Sequence, residues 1–576
     1  MSIDPILASV MQRAFKSITD EMSTSMMLTT RSPILCEAKD FVTGLYDASG
    51  NMLDQTENLP ILSFSLGPVV KHLLRCFEGD IHPGDVFFHN DVFTYGNQNN
   101  DVAAFKPIFL DEGNLIGWAA TKGHMADIGG AVRGGYNPNA TEVFQEALRI
   151  PAVKIYDRGK LRKDVWDLIF ANIRLDIVKE DMRAEIGACT VGERRLKALV
   201  EKVGFERFQS HKEYLFASTE KMMRAELRTI PNGVYHGEGK VFFDGRHPGS
   251  EFTIRVEITV RDEEIFFDYS GTDPQTDGFV NGTYTSSASA TTLTLLQMVN
   301  PDIPHNEGML RPVHIEIPEG TILNARYPKA TTFGNHLCPP NADAIMKALA
   351  PAIPDRVTAG WNHLLCSLTT GRDPKKDDDY VDICFMGLKG GSGAMRDVDG
   401  YDHIGMIDAS GGLLDQDYEM FEQQTPHRLI RHEFLEDSAG VGRHRGGLGV
   451  VTELALGGTG TQLVTFGDGD VKPAFGLFGG GDGTLNVIEL RRPDGSVYRT
   501  TSKDLVSGIP AGTIYYQTAG GGGGHGHPFD RPAALVAKEV RDGIISRQVA
   551  EAAYGVVLLP SDTEVDTEGT KKRRAR

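Results

Sequence analysis

The side chains best suited to chemistry cluster between residues 84 and 136. His89-Asn90-Asp91 stands where the apolar run Val86-Phe87-Phe88 ends. An amide-rich loop, Thr94 to Asn100, delivers Asp101 just before Val102-Ala103-Ala104-Phe105. The apolar run Leu115 to Ala120 leads into Thr121-Lys122-Gly123-His124, with Asp127 three residues on and glycine pairs at 129–130 and 134–135. Two short strands thus end in carboxylates and an imidazole, and the glycines allow close approach of backbone and ligand. Oxygen plus imidazole is a donor set that zinc or manganese accepts. The same residue types beside glycine also close turns, so both roles stand open at this level.

Several elements must position this stretch. Apolar residues at helical spacing (Ile6, Val10, Met11, Phe15, Ile18, Met22) predict a helix over residues 3–31. Phe41 to Asp47 and the turn Ser49-Gly50-Asn51 read as a hairpin with Asp40 at its entrance. Helices are expected over 63–78, 141–149, most of 161–203, and 205–227. Arg174, Asp176 and Arg183 lie on the charged stretch, which reads as a solvated or subunit-facing surface. From Gly233 the periodicity falls to two, as in antiparallel strands joined by turns such as Asp244-Gly245. Helices follow at 286–299 and 342–349, then a strand-and-turn region and two closing helices. The 65 glycines, many clustered, read as tight turns and loops over a β-rich body. The expected class is α+β: a large multi-domain chain with antiparallel sheets and a mixed helix/strand N-terminal part. Its divisions are 1–230 with the metal site, 231–425, a glycine-rich 426–560, and a disordered tail at 561–576.

Composition narrows the function. A formal charge of -19 argues against nucleic acid as a main partner. No apolar run reaches the ~18 residues a membrane span needs. The opening residues carry early acids and lack the order of a signal peptide, and the six cysteines form no CxxC, so a reduced, cytoplasmic protein is expected. There is no GxxxxGK[ST] loop; Gly159-Lys160 is followed by leucine. If ATP is used, another chain binds it.

Asn90-Asp91, Asp101 and Lys122-x-His124 resemble the pattern of the hydantoinase B family, the second subunit of ATP-dependent hydantoinases, 5-oxoprolinases and lactamases. Asp268 to Thr272, Phe333-Gly334-Asn335 to Pro340-Asn341, Ser438 to Gly449 and Gly520 to Pro528 stand in the expected order, so the resemblance covers nearly the whole chain. Lys122 to Pro151 is most similar to the lactam-hydrolysing branch, which includes ATP-dependent caprolactamase. The resemblance implies a metal held by Asp40, Asp101 and His124. It also implies a loop histidine where this chain has Asn99, a weaker zinc donor. Beside Asp101, Asp91 and Asp127 are the candidate catalytic carboxylates, as proton acceptors; His89 and Lys122 are as readily structural.

The family further implies a hydantoinase A-type ATPase partner in an (αβ)2 heterotetramer, and hydrolysis of a lactam or related cyclic amide after phosphorylation of its carbonyl oxygen. Two other readings stay open. One is a subunit of an acetone- or acetophenone-type carboxylase, with bicarbonate as co-substrate. The other is a non-catalytic scaffold for the ATPase.

Overall fold

The computed structural model describes residues 3–56, 58–111, 113–404, 406–560 and 564–575. Asp4 caps the first helix, Pro5–Thr29, through Oδ1, and proline in the first turn has no amide to satisfy. Met11, Phe15, Ile18, Met22 and Met26 form its buried stripe. It packs with the helix Asp176–Val203 over a seven-stranded antiparallel sheet. The strands are β1 (Phe41–Asp47), β2 (Met52–Gln55), β3 (Val86–His89), β4 (Asp101–Phe109), β5 (Leu115–His124), β6 (Val153–Asp157) and β7 (Lys160–Leu161). Their order is β2-β1-β5-β4-β3-β6-β7, so β5 and β4 lie at the centre.

That centrality changes the reading of Thr121 to His124. These residues are not a loop after the strand; β5 runs through His124, because its backbone pairs with β1 on one side (Val42 with Lys122) and β4 on the other (Asp101 with His124). A second correction concerns 141–149, which forms only a 3-10 turn at Val143–Gln145. Its amides bond outward instead, Val143 N–H to Pro328 O and Leu148 N–H to Ile128 O.

Beyond the helix Phe205–Leu227, β8 (Gly233–Phe242), β9 (Glu251–Arg261), β10 (Glu264–Asp268) and β11 (Val313–Glu316) make a four-stranded sheet, packed by the helix Cys338–Leu349. The remaining strands are β12 (Leu365–Asp373), β13 (Asp378–Ile383), β14 (Arg428–Phe434), β15 (Val450–Ala455), β16 (Thr459–Gly467), β17 (Val487–Arg491), β18 (Val497–Arg499), β19 (Asp504–Ile509) and β20 (Ile514–Ala519). They form two sheets, β13-β12-β16-β19 and β14-β15-β20-β17-β18. The main apolar core runs from Ala8 to Phe475, and two smaller ones gather between Leu365 and Tyr515 and between Val536 and Leu558.

One glycine cluster, in an irregular connection, is packed backbone against backbone. Residues 520–524 run as an extended segment buried among other glycine-rich segments, with Gly440 N–H bonded to Gly522 O, Gly522 N–H to Gly447 O and Gly524 N–H to Gly481 O. The tail also departs from expectation. Thr567–Arg574 is a helix, capped by Asp566 and tied down by Arg574 Nε donating to Tyr554 O; residues 561–563 and 576 lie outside the described residues.

Candidate active site at the ends of β4 and β5

The register of β4 against β5 sets Asp101 directly opposite His124. The two side chains meet, His124 Nδ1 and Asp101 Oδ1 lying 2.8 Å apart, and Asp101 is fully buried. Asp101 Oδ2 accepts from Asn335 Nδ2 at 3.1 Å and from Gln98 N–H at 3.3 Å. Burial alone would lower the His124 pKa, but the hydrogen bond to Asp101 and the charges of Asp40 and Asp101 outweigh it and hold it above the ordinary histidine value.

Asp40 reaches the same place by backbone pairing: its carbonyl accepts from His124 N–H at 3.1 Å, and its own N–H donates to Ile34 O. Its Oδ1 is buried with no hydrogen-bond partner, unlike the carboxylate of a turn cap. Burial pushes its carboxyl up to about 7, with Asp101 adding to the rise and His124 opposing it. Asn99 is fully buried, and both its Oδ1 and Nδ2 lack partners. Such orphaned atoms cost about 1–3 kcal/mol each in a protein interior.

The structure does not leave Asp91 and Asp127 free as bases. Asp91 pairs with Arg149 through both oxygens, at 2.8 and 3.3 Å, and caps the turn at Phe93. Asp127 Oδ1 accepts from Arg174 Nη1 at 2.9 Å and Gly134 N–H, and Oδ2 from Arg174 N–H at 3.0 Å and Gly129 N–H. Both oxygens of each carboxylate are thus already taken by donors within the chain. Arg174, read as a surface residue, is therefore the anchor of a buried acid. Lys122 is structural in its contacts, bonded to Ser65 and to Asn97 Oδ1 at 2.8 Å, and His89 bonds Thr94 Oγ1 at 2.9 Å.

Other residues at the site lie far off in sequence. Tyr136 stacks on His124 (centroids 5.8 Å apart) and on Phe466 (3.7 Å), and its hydroxyl bonds Gln98 and His336. Burial, with the neighbouring positive charges of His124 and Lys503, pushes His336 down to about 3, so it is neutral. Glu146 fixes the turn carrying Asn335, accepting from Thr331 and Thr332 N–H at 2.8 and 2.9 Å. Asp408 is buried beside Asp40, its Oδ1 unpartnered and its carboxyl raised to about 7 by burial and by Asp40. Tyr136 ends the site stretch and Asn335 lies in a resembling segment, but no spacing rule links either to Asp101.

By chemical type the donors are ones a divalent cation accepts: the carboxylates of Asp40 and Asp101, the His124 imidazole, and the orphaned buried oxygens of Asp40 and Asn99. The ligand atoms of Asp40, Asp101 and His124 are not all within 4.8 Å of one another. Among the described residues, that closeness occurs at His403, Asp415 and His432.

The chain matches the profile of hydantoinase B/oxoprolinase over residues 4–528. It is 34% identical to the caprolactamase subunit beta of Pseudomonas jessenii, covering 100% of this chain and 99% of that one. The crystal structure of ATP-dependent caprolactamase from the same organism superposes with a TM-score of 0.92 at 32% identity, over 100% of both chains. An acetone carboxylase in its nucleotide-free structure shares the fold, with a TM-score of 0.91 at 21% identity over 99% of this chain and 82% of that one. Family profile, full-length relative and superposed structure agree: this chain belongs to the hydantoinase B/oxoprolinase family.

Proposed function

We propose that this chain is the ring-opening subunit of an ATP-dependent cyclic amide hydrolase acting on a lactam or related ring. The reading rests on the full-length likeness to a caprolactamase subunit, together with the buried Asp101–His124 pair beside Asp40. An amide carbonyl is a poor electrophile, and ATP-dependent phosphorylation of its oxygen by a partner ATPase, in an (αβ)2 assembly, activates it. A zinc or manganese ion held by Asp40, Asp101 and His124, with Asn99 as a weak fourth donor, supplies Lewis acidity when bound.

The chain's own residues account for the rest. Asp101, held by Gln98 and Asn335, fixes the orientation of the His124 ring through Nδ1. Tyr136 covers one face of the imidazole and is itself backed by Phe466. Asp40 presents its bare Oδ1 to the same place as His124 and Asp101, as a ligand oxygen. A cavity lined by Ser32, Ile34, Ala126, Tyr380, Asp382 and Phe385 comes within two residues of His124 along the chain, though Asp40, Asp101 and His124 do not line it. Among the described residues no helix is long and apolar enough to cross a membrane, and none of the six cysteines is in a disulfide; both suit work in the cytoplasm, where ATP is made.

The reading is tested by reconstitution with a hydantoinase A-type ATPase subunit. The pair opens lactams with ATP; bicarbonate fixation onto ketones instead would make it a carboxylase. Purified alone, the chain is expected neither to bind ATP in calorimetry nor to open lactams, and ATP-dependent turnover by the single chain would refute the two-subunit reading. A second expected result concerns Asn99. Asn99→His replaces an unpartnered amide with an imidazole and should tighten zinc by about 10-fold or more, raising both metal content and rate. An unchanged zinc stoichiometry and rate would show that this loop position is not a ligand.

A further inference from the structure

A second constellation lies outside the Asp101–His124 site. His403, Asp415 and His432 each present one ligand atom, and the three atoms lie within 4.8 Å of one another. His403 Nε2 faces Asp415 Oδ2 at 3.4 Å and, though buried, has no hydrogen-bond partner. The His403 and His432 rings stand edge to face with centroids 4.9 Å apart.

Each of the three is also held from behind. His432, on β14, bonds Thr452 Oγ1 through Nδ1 at 2.9 Å, which leaves Nε2 free. The His403 ring makes a hydrogen bond to the Met386 backbone. Asp415 Oδ1 pairs with Lys389 at 2.7 Å, so Oδ2 is the oxygen left for a ligand. Metal-binding histidines characteristically use one ring nitrogen for the ion and bond the other to an oxygen that fixes the ring. Burial lowers both imidazole pKa values, His432 to about 4, and so keeps the lone pairs available.

We propose that His403, Asp415 and His432 form a second divalent-metal site, for a zinc-type ion, independent of the Asp101–His124 site. Two imidazoles and one carboxylate with an open position suit zinc or another late first-row ion and disfavour magnesium or calcium. The ion joins the Asp415 segment to β14. That segment also leans on the Asp40 turn, Leu414 N–H bonding Ala38 O and Asp417 N–H bonding Glu37 Oε2. Its role is a clamp: metal binding at Asp415 stiffens the backbone that sets Asp40.

The test uses the full chain with its partner, stripped of metal and titrated with zinc or cobalt. Zinc should protect His403 and His432 of the unaltered protein from diethyl pyrocarbonate, mapped by mass spectrometry, and Asp101→Asn should keep that protection. His432→Gln and Asp415→Asn should each lose one metal equivalent and the matching cobalt absorption. If saturating zinc leaves the modification of both histidines unchanged, the cluster is a plain Lys389–Asp415–histidine network and the proposal falls, whether or not the variants fold. A metal content in His432→Gln equal to that of the unaltered protein overturns it as well.

Discussion

Replacing Asp101 by alanine is expected to lower kcat/KM for ATP-dependent ring opening by the assembled complex by about 10²-fold or more. Asp101 is fully buried and engages three donors: His124 Nδ1, Asn335 Nδ2 and Gln98 N–H. Alanine leaves all three without an acceptor, at about 1–3 kcal/mol for each buried donor that finds no other, so Tm falls along with activity. Asp101→Asn separates the two effects. Its amide oxygen can still accept from His124, but the negative charge is gone, so folding survives better while activity and metal content do not. A wild-type rate in Asp101→Asn would remove Asp101 from the chemistry.

The pH dependence carries a defined sign. The folded His124 pKa lies above the unfolded one, the hydrogen bond to Asp101 and the charges of Asp40 and Asp101 having overcome burial. The stability that this pair contributes is therefore fully present below the ordinary histidine value and is lost as pH rises through the folded value. Urea unfolding of the metal-stripped chain should show this decline, and Asp101→Asn should flatten it. An identical slope in both proteins would mean that the pair is not linked to folding.

Gly522→Ala is expected to destabilise the chain by about 4 kcal/mol or more, a large share of a typical domain's stability. A Cβ at Gly522 would stand 1.9 Å from Ser392 O and 2.2 Å from Ser392 C. Both are backbone atoms in a hydrogen-bonded layer, so no side-chain rotation relieves the clash. The same holds at Gly521, Gly523 and Gly524, where the nearest atoms are the carbonyl oxygens of Ser438, Phe475 and Val441 at 2.2, 1.9 and 2.1 Å. None of residues 520–524 has a positive φ, so the missing Cβ matters here rather than backbone freedom. Gly187 is the control: it lies exposed in a helix with nothing within 4 Å of its Cβ position, and Gly187→Ala should stabilise by about 0.5–1 kcal/mol. Equal urea midpoints for Gly522→Ala and the unaltered chain would contradict the packing seen here.

Local periodicity was sufficient for the elements whose burial is a property of their own sequence. The stripe of Met11, Phe15, Ile18 and Met22 specifies the first helix, and Phe41 to Gln55 carries its hairpin turn within it. Alternation after Gly233 likewise announces β8 to β10. The stretch from Asp101 to His124 declared its chemical content, and the full-chain resemblance to the hydantoinase B family was legible because its segments keep their order.

Long-range register decided the rest. Lys122 and His124 belong to a strand because β1 and β4 both pair with it, which the polar residues themselves do not signal. Asp91 and Asp127 look like free acids until Arg149 and Arg174 arrive from other parts of the chain. Asn335 reaches Asp101, and Phe466 reaches Tyr136, across hundreds of residues. A glycine cluster has the same composition in a turn and in a backbone-packed layer, and only the neighbouring carbonyls distinguish them. By itself the sequence determined which donors exist and which elements carry them. Tertiary structure decided which donors remain unpartnered, because burial and hydrogen-bond competition are settled only when distant segments close on one another.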